Sequence, residues 1–217
     1  MSTNWKEQLD KYAKLIVQVG VNVQQGQPVF VTGAIEQADL VRAVASQAYE
    51  AGASNVHVEW VDDKLSRLKY MKAFEDVFSD YPQWEADKRK QFYEKNGAFI
   101  SIVSSSPDLL SGVDSNRIAA FQKASGTALM EFRRAMQADK FSWTVVAAAG
   151  TDWANKVFPD AASEQVAIEL LWKAIFAAVR LDAADPVQAW QEHNDTLHAK
   201  AIALNNYHFQ KLHYRAP

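Results

Sequence analysis

Apolar residues recur at helical spacing from Trp5 through Leu9, Tyr12 and Ile16 to Val19, so the chain opens with an amphipathic helix. Asn4 is placed to cap it, with Glu7 three residues on, and Gly20 is placed to end it. From Pro28 the pattern changes. Pro28-Val-Phe-Val-Thr-Gly33 is a short β-branched run bounded by turn residues, which predicts a buried strand. Glu36 to Ala51 returns to helical spacing, with Leu40, Val41, Val44 and Ala48 on one face and Gly52 just past the end. Asn55 to Val61 follows as a second strand. Strand, helix and strand within about 35 residues form a βαβ unit, which implies parallel strands joined by a right-handed crossover.

The alternation continues more loosely. Residues 62–96 are charged and predict two helical pieces, broken near Ser79-Asp-Tyr-Pro82, where proline forbids simple continuation. Ala98 to Val103 is a third strand, followed by the loop residues Ser104 to Asp108. One long helix is expected from about Asn116 to Gln137, and Ser142 to Ala149 is a fourth strand. The fold class implied is α/β: a largely parallel, doubly wound sheet of about four or five strands flanked by helices. After Gly150 the strand pattern stops, and residues 151–212 are expected to be helical throughout. Between Ser163 and Arg180 only Gln165, Glu169 and Lys173 form a polar strip. A helix apolar over most of its circumference is expected to be buried on two sides. Asp185-Pro186 starts the last helix, with proline at its first position. The chain is therefore expected to be a single α/β domain over 1–217, with alternating strands and helices in 1–150 and a helical segment in 151–217.

Composition narrows the function more than the fold. Hydrophobic residues make up 48% and charged residues 23%, the balance of an ordinary globular protein. A formal net charge of −3 leaves no basic field to condense on a phosphate backbone or an anionic bilayer. Neither nucleic acid nor a membrane is expected as a partner. The chain has no cysteine, which excludes disulfides, thiolate metal sites and thiol nucleophiles, and fits a cytoplasmic location. Lys6, Glu7, Asp10, Lys11 and Lys14 interrupt the first twenty residues, the reverse of a signal-peptide core.

Few residues stand out chemically. Four of the five histidines fall in the last 25 residues. His193 and His198 are five apart, as are His208 and His213, which places each pair about 140° apart around a helix, too far to grip one ion. Surface or interface histidines are the simpler reading. His57 and Glu59 alternate onto one face of the second strand, where they are either an acid and base pair of a self-contained enzyme or the wet face of an edge strand. The segments Thr32-Gly33-Ala34, Ser104 to Asp108 and Gly150-Thr151-Asp152 lie beyond strand ends, where open α/β sheets bind ligands. Their hydroxyls and carboxylates suit a small anion, and equally suit helix capping. No G-x-G-x-x-G, Walker or G-x-S-x-G pattern is present. Trp5, Trp60, Trp84, Trp143, Trp153, Trp172 and Trp190 lack the positive groove of a single-strand binder, so packing is the expected role.

Short stretches scattered along the whole chain resemble one family. Tyr12-Ala-Lys-Leu15, Gly20-Val-Asn22 and Gln25-Gly-Gln27 resemble the opening of the thermophilic-type metalloaminopeptidases, the aminopeptidase T and S type. So do Glu36 with Leu40-Val-Arg42, Ala48-Tyr49 with Gly52-Ala53, and Trp153-Ala154 with Val157-Phe-Pro159. Asp185-Pro-Val with Trp190 and His193, and Leu204-Asn205 through Phe209 to Leu212-His-Tyr-Arg-Ala-Pro217, extend the likeness to the end. The resemblance implies an enzyme that removes N-terminal amino acids from peptides with two divalent metal ions, zinc, cobalt or manganese, as a homodimer around an enclosed cavity. It further implies that the metal ligands lie in a catalytic domain following this one, beyond a Gly-Thr-Asp-Leu segment that is absent before Pro217. No catalytic or metal-binding residue carries over to this chain, and the resemblance leaves any ligand-binding residues unknown. The expected partners are that catalytic domain, a second copy and peptide substrates; the alternative is a small-ligand binding α/β module using the loops after the strands.

Overall fold

The computed structural model describes residues 3–216. Four strands, β1 (Pro28–Ala34), β2 (Asn55–Val61), β3 (Ala98–Val103) and β4 (Trp143–Ala147), form one sheet in the order β2-β1-β3-β4, parallel throughout. The strands fall within about two residues of the predicted runs because each run is apolar on both faces where the sheet is central. In β1, Val29, Phe30 and Val31 are all buried, whereas the edge strands β2 and β4 are partly open.

The helices sort onto two faces. Val29, Val31, Ile100 and Ile102 point to one face and pack in a single cluster with Leu9, Tyr12 and Ile16 from α1 (Thr3–Leu15) and its widened last turn, Ile16–Gly20. Leu40, Val41 and Val44 of α2 (Ala38–Glu50) and Leu171, Trp172 and Ile175 of α8 (Glu164–Ala178) complete that cluster. Phe30 and Phe99 point the other way and meet Phe92 of α4 (Gln83–Glu94) and Ala135 of α6 (Met130–Gln137). The β1 to β2 crossover uses the first face and the later crossovers the second, as right-handed connections require when strand order reverses direction at β1. Tyr12 ties the first layer to the sheet: its hydroxyl donates to the Ala147 carbonyl at 2.9 Å, and burial pushes its phenol above the ordinary tyrosine range.

Several expectations are corrected. α1 already includes Thr3, so Asn4 stands inside the helix and not at its cap. The helix expected over 116–137 is two, α5 (Ser115–Ala128) and α6, parted at Leu129. Gly126 weakens the helix there, and Ser125 and Thr127 turn their hydroxyls back onto the carbonyls of Gln122 and Lys123, which bends it. Residues 151–212 are not continuously helical. α7 (Thr151–Val157) stops before Pro159, α8 follows, and α9 (Pro186–Asn206) ends the regular structure. α8 is buried along one stripe only. Its opposite side, with Val166 and Leu170, is open to solvent, and from Asn194 onward every described residue of α9 is exposed.

Candidate functional site

The residues beyond the carboxyl ends of the strands do not behave as their composition suggested. Thr32, Gly33 and Ala34 belong to β1 itself, and Gly33 is required there because an added Cβ would stand 2.7 Å from a Val41 methyl. Ser104 to Asp108 caps no helix. Ser105 Oγ and the Ser106 N–H instead donate to the two carboxylate oxygens of Asp63, at 3.2 and 2.9 Å, and so bind the loop after β3 to the start of α3 (Asp63–Lys72). Asp108 takes two contacts from Lys156, at 2.6 and 2.7 Å, in an exposed pair worth little to stability. Gly150 is the residue before α7, while Thr151 and Asp152 stand inside it. The side-chain caps are elsewhere: Asp62 on α3, Asp114 on α5, Ser163 on α8 and Asp185 on α9.

His57 and Glu59 do share one face of β2, and β2 is an edge strand, but the face is covered by α4. His57 lies against Phe30 and Phe92, with ring centroids 4.8 and 5.6 Å away. Glu59 is held by Lys88 and Arg89, and both cations also reach Glu85, at 2.9 and 3.1 Å. The two residues are separately engaged and form no acid and base pair. Partial burial opposes ionisation of Glu85, yet hydrogen bonds from Lys88 and Arg89 outweigh it and hold the carboxyl below the ordinary glutamate range. A carboxyl so depressed stabilises the fold above its unfolded pKa, and this contribution fades as pH falls through the folded value. Glu85→Gln is therefore expected to be less stable than the parent at pH 7, and the gap is expected to close below about pH 4. Parallel urea titrations at the two pH values check this; a constant gap would deny the network a role.

The histidines of α9 form no cluster. Arg180 donates to His193 Nδ1 at 3.2 Å and Trp190 packs beside it, while His198, His208 and His213 are exposed. Trp5 and Trp172 pack edge to face at 5.3 Å, and Trp190 donates to the Val179 carbonyl at 2.7 Å. Trp60, Trp84 and Trp143 are exposed.

Two hollows flank the carboxyl end of the sheet, and of the residues singled out from the sequence as candidate catalytic or ligand groups only Glu59 lines one and Thr151 the other. On the α4 face, a groove of about 620 Å³ runs over Ile35, Trp60, Leu65, Tyr81 and Phe121, with Glu59, Glu85 and Arg89 along it. Burial raises the Tyr81 phenol above its ordinary range. On the opposite face, a cleft of about 610 Å³ lies between α1, the start of α2 and α8, with Ala149 and Thr151 at its inner end. Among the described residues, no three histidines, aspartates or glutamates are grouped to hold a metal ion, and no helix is long and apolar enough to cross a membrane.

Residues 5–217 match the thermophilic metalloprotease family, M29. The chain is 51% identical to aminopeptidase AmpS of Bacillus subtilis (strain 168) over 213 residues, 98% of this chain and 52% of that protein. It is 45% identical to aminopeptidase 2 of Geobacillus stearothermophilus over 213 residues, 98% of this chain and 51% of that one. The solved structure of wild-type AmpT from Thermus thermophilus superposes with a TM-score of 0.90 at 34% identity, over 98% of this chain and 52% of that one. The chain thus spans about half the length of the relatives it matches.

Proposed function

Because the chain belongs to the thermophilic metalloprotease family M29, we propose that it is the N-terminal half of a metal-dependent aminopeptidase that removes N-terminal amino acids from peptides. The observation that carries this reading is the extent of the match: nearly all of this chain aligns with only 52% of an aminopeptidase. The described residues do not fit a metal centre: no three histidines, aspartates or glutamates are grouped, and Glu59, Asp63 and Glu85 are engaged in a loop tie and ion pairs. In this reading two divalent ions, zinc, cobalt or manganese, sit in a catalytic half of the kind the longer relatives have room for. The present chain, the other half, walls the substrate cavity and supports a homodimer in the cytoplasm. The open apolar side of α8, with Val166 and Leu170, and the exposed Leu197, Ile202 and Leu204 of α9 support such contacts.

The purified chain with cobalt, zinc or manganese is expected not to hydrolyse leucine p-nitroanilide. Activity is expected when it is mixed with the half of the Bacillus subtilis relative that it does not match. Metal-dependent turnover by the chain alone would overturn the reading. The alternative of a small-ligand module gains support from the cleft between α1, α2 and α8, at the strand ends where such folds take ligands.

A further inference from the structure

The turn that ends α4 sets a reactive pair of residues against a structural guard. Lys95 stands at the C-cap, and Asn96 follows in the left-handed region at φ 56°, which asparagine tolerates better than most residues with a side chain. The Asn96 N–H donates to the Tyr93 carbonyl at 2.9 Å and the Gly97 N–H to the Phe92 carbonyl at 2.8 Å, the two bonds that close a Schellman turn. α6 and α8 end the same way, at Asp139 and Arg180, so backbone shape alone distinguishes nothing. What sets the α4 turn apart is its chemistry: Asn96 is the one asparagine in the chain with glycine after it. Asparagine is thermolabile, and a following glycine has no side chain to shield its nitrogen from the carboxamide carbon. The fold guards that nitrogen. Gly97 is buried, and the proton that must leave before its nitrogen can attack is donated to Phe92. The Asn96 carbonyl accepts from Gln27 Nε2 at 2.6 Å, while Gln27 Oε1 accepts from the Gln24 N–H at 3.0 Å. Gln27 is only 6% exposed, so one buried carboxamide, engaged at both ends, clamps the turn to the segment before β1.

We propose that Asn96-Gly97 is a site of spontaneous succinimide formation, which the turn and the Gln27 clamp hold in check until the turn opens. On opening, a base takes the Gly97 amide proton and the nitrogen attacks Asn96 Cγ. The Cγ–Nδ2 bond breaks, the proton returns to the departing nitrogen, and ammonia leaves. Water then opens the imide at either carbonyl, giving aspartate or isoaspartate, with nothing oxidised or reduced. Isoaspartate routes the main chain through Cβ and Cγ, and the turn has no room for the extra atom. Even a Cβ on Gly97 would stand 2.6 Å from the Phe92 oxygen and 3.3 Å from the Pro28 oxygen. Conversion to isoaspartate therefore damages the joint between β1, α4 and β3 for good. None of this rests on the peptidase reading.

The test incubates the full chain in mildly alkaline buffer, with and without denaturing guanidinium, and follows each asparagine by peptide mapping and mass spectrometry. In guanidinium, Asn96 is expected to convert before every other asparagine. In the folded chain its conversion is expected to be at least about tenfold slower, because the turn must first open. Gln27→Met fills much the same space without either hydrogen bond, and is expected to speed conversion in the folded chain about fivefold. Should that variant not fold, Gln27→Asn, too short to span from Gln24 to Asn96, takes its place. Asn96→Gly suits the left-handed turn and lacks the carboxamide, so it should fold and show no conversion at this peptide. A different asparagine converting first in guanidinium, equal rates in the folded and unfolded chain, or an unaltered rate in a folded Gln27 variant would each overturn the proposal.

Discussion

Replacing Phe30 with alanine is expected to destabilise the protein by about 3–5 kcal/mol, which in a chain of this size lowers the melting temperature by roughly 6–20 °C. Phe30 is 2% exposed and stands at the centre of the smaller of the two core clusters, where the other buried members are Phe99, Ala135 and Phe141. Its ring meets Phe92 edge-on at 5.1 Å and stacks with Phe99 at 5.4 Å, and Lys88 and Arg89 lie over it at 5.8 and 5.6 Å. Alanine would remove one aromatic partner from each of the two phenylalanines and leave two cations above a void that so small a cluster cannot close by collapse. Phe30→Leu keeps much of the volume and should cost about 1–2 kcal/mol. Urea unfolding with an unchanged slope measures both. If alanine cost less than leucine, the second face would not be a packed core.

Gly150→Ala is expected to cost about 2–4 kcal/mol for a different reason. The backbone at Gly150, with φ −84° and ψ 150°, suits any residue, so no conformational strain is involved. The obstacle is the loop after β3: an added Cβ would stand 2.0 Å from the Ser104 carbonyl oxygen and 3.1 Å from its carbon. Backbone, unlike a side-chain tip, has no rotamer to escape into. The loop or the start of α7 must move, and Ala149 and Thr151, which line the cleft, move with it. Thermal unfolding and tryptophan emission should both respond. A variant as stable as its parent would show that this close approach is easily relieved.

The sheet was largely legible because its signal is local. Each strand is a short apolar run between turn residues, and the βαβ order alone implies parallel pairing. Even the edge position of β2 could be read from His57 and Glu59, polar residues that a doubly covered central strand would not carry. The missing cover was misjudged, because Lys88 and Arg89 of α4, the cations that neutralise Glu59, lie about thirty residues away in sequence and meet it only in the fold. The loop serines and aspartates failed for a related reason. Ser, Thr and Asp serve equally as caps, loop ties and ion-pair partners, and only the fold showed that Asp63 accepts from Ser105 and Ser106. The cleft was invisible to periodicity, since its lining is collected from α1, the turn into α2, α2, the start of α7 and α8, segments far apart in sequence that meet only in the fold.

The outer turns of α9 have a thermodynamic standing unlike the rest of the molecule. With every residue from Asn194 to Asn206 exposed, little side-chain burial supports their backbone hydrogen bonds, and they rest chiefly on intrinsic helix–coil equilibrium. These turns fray without disturbing the sheet, and their amides exchange with solvent far sooner than those of β1. Any surface that captures Leu197 and Leu204, which share one face seven residues apart, must first freeze that fluctuation, so recognition and folding of this segment become one event.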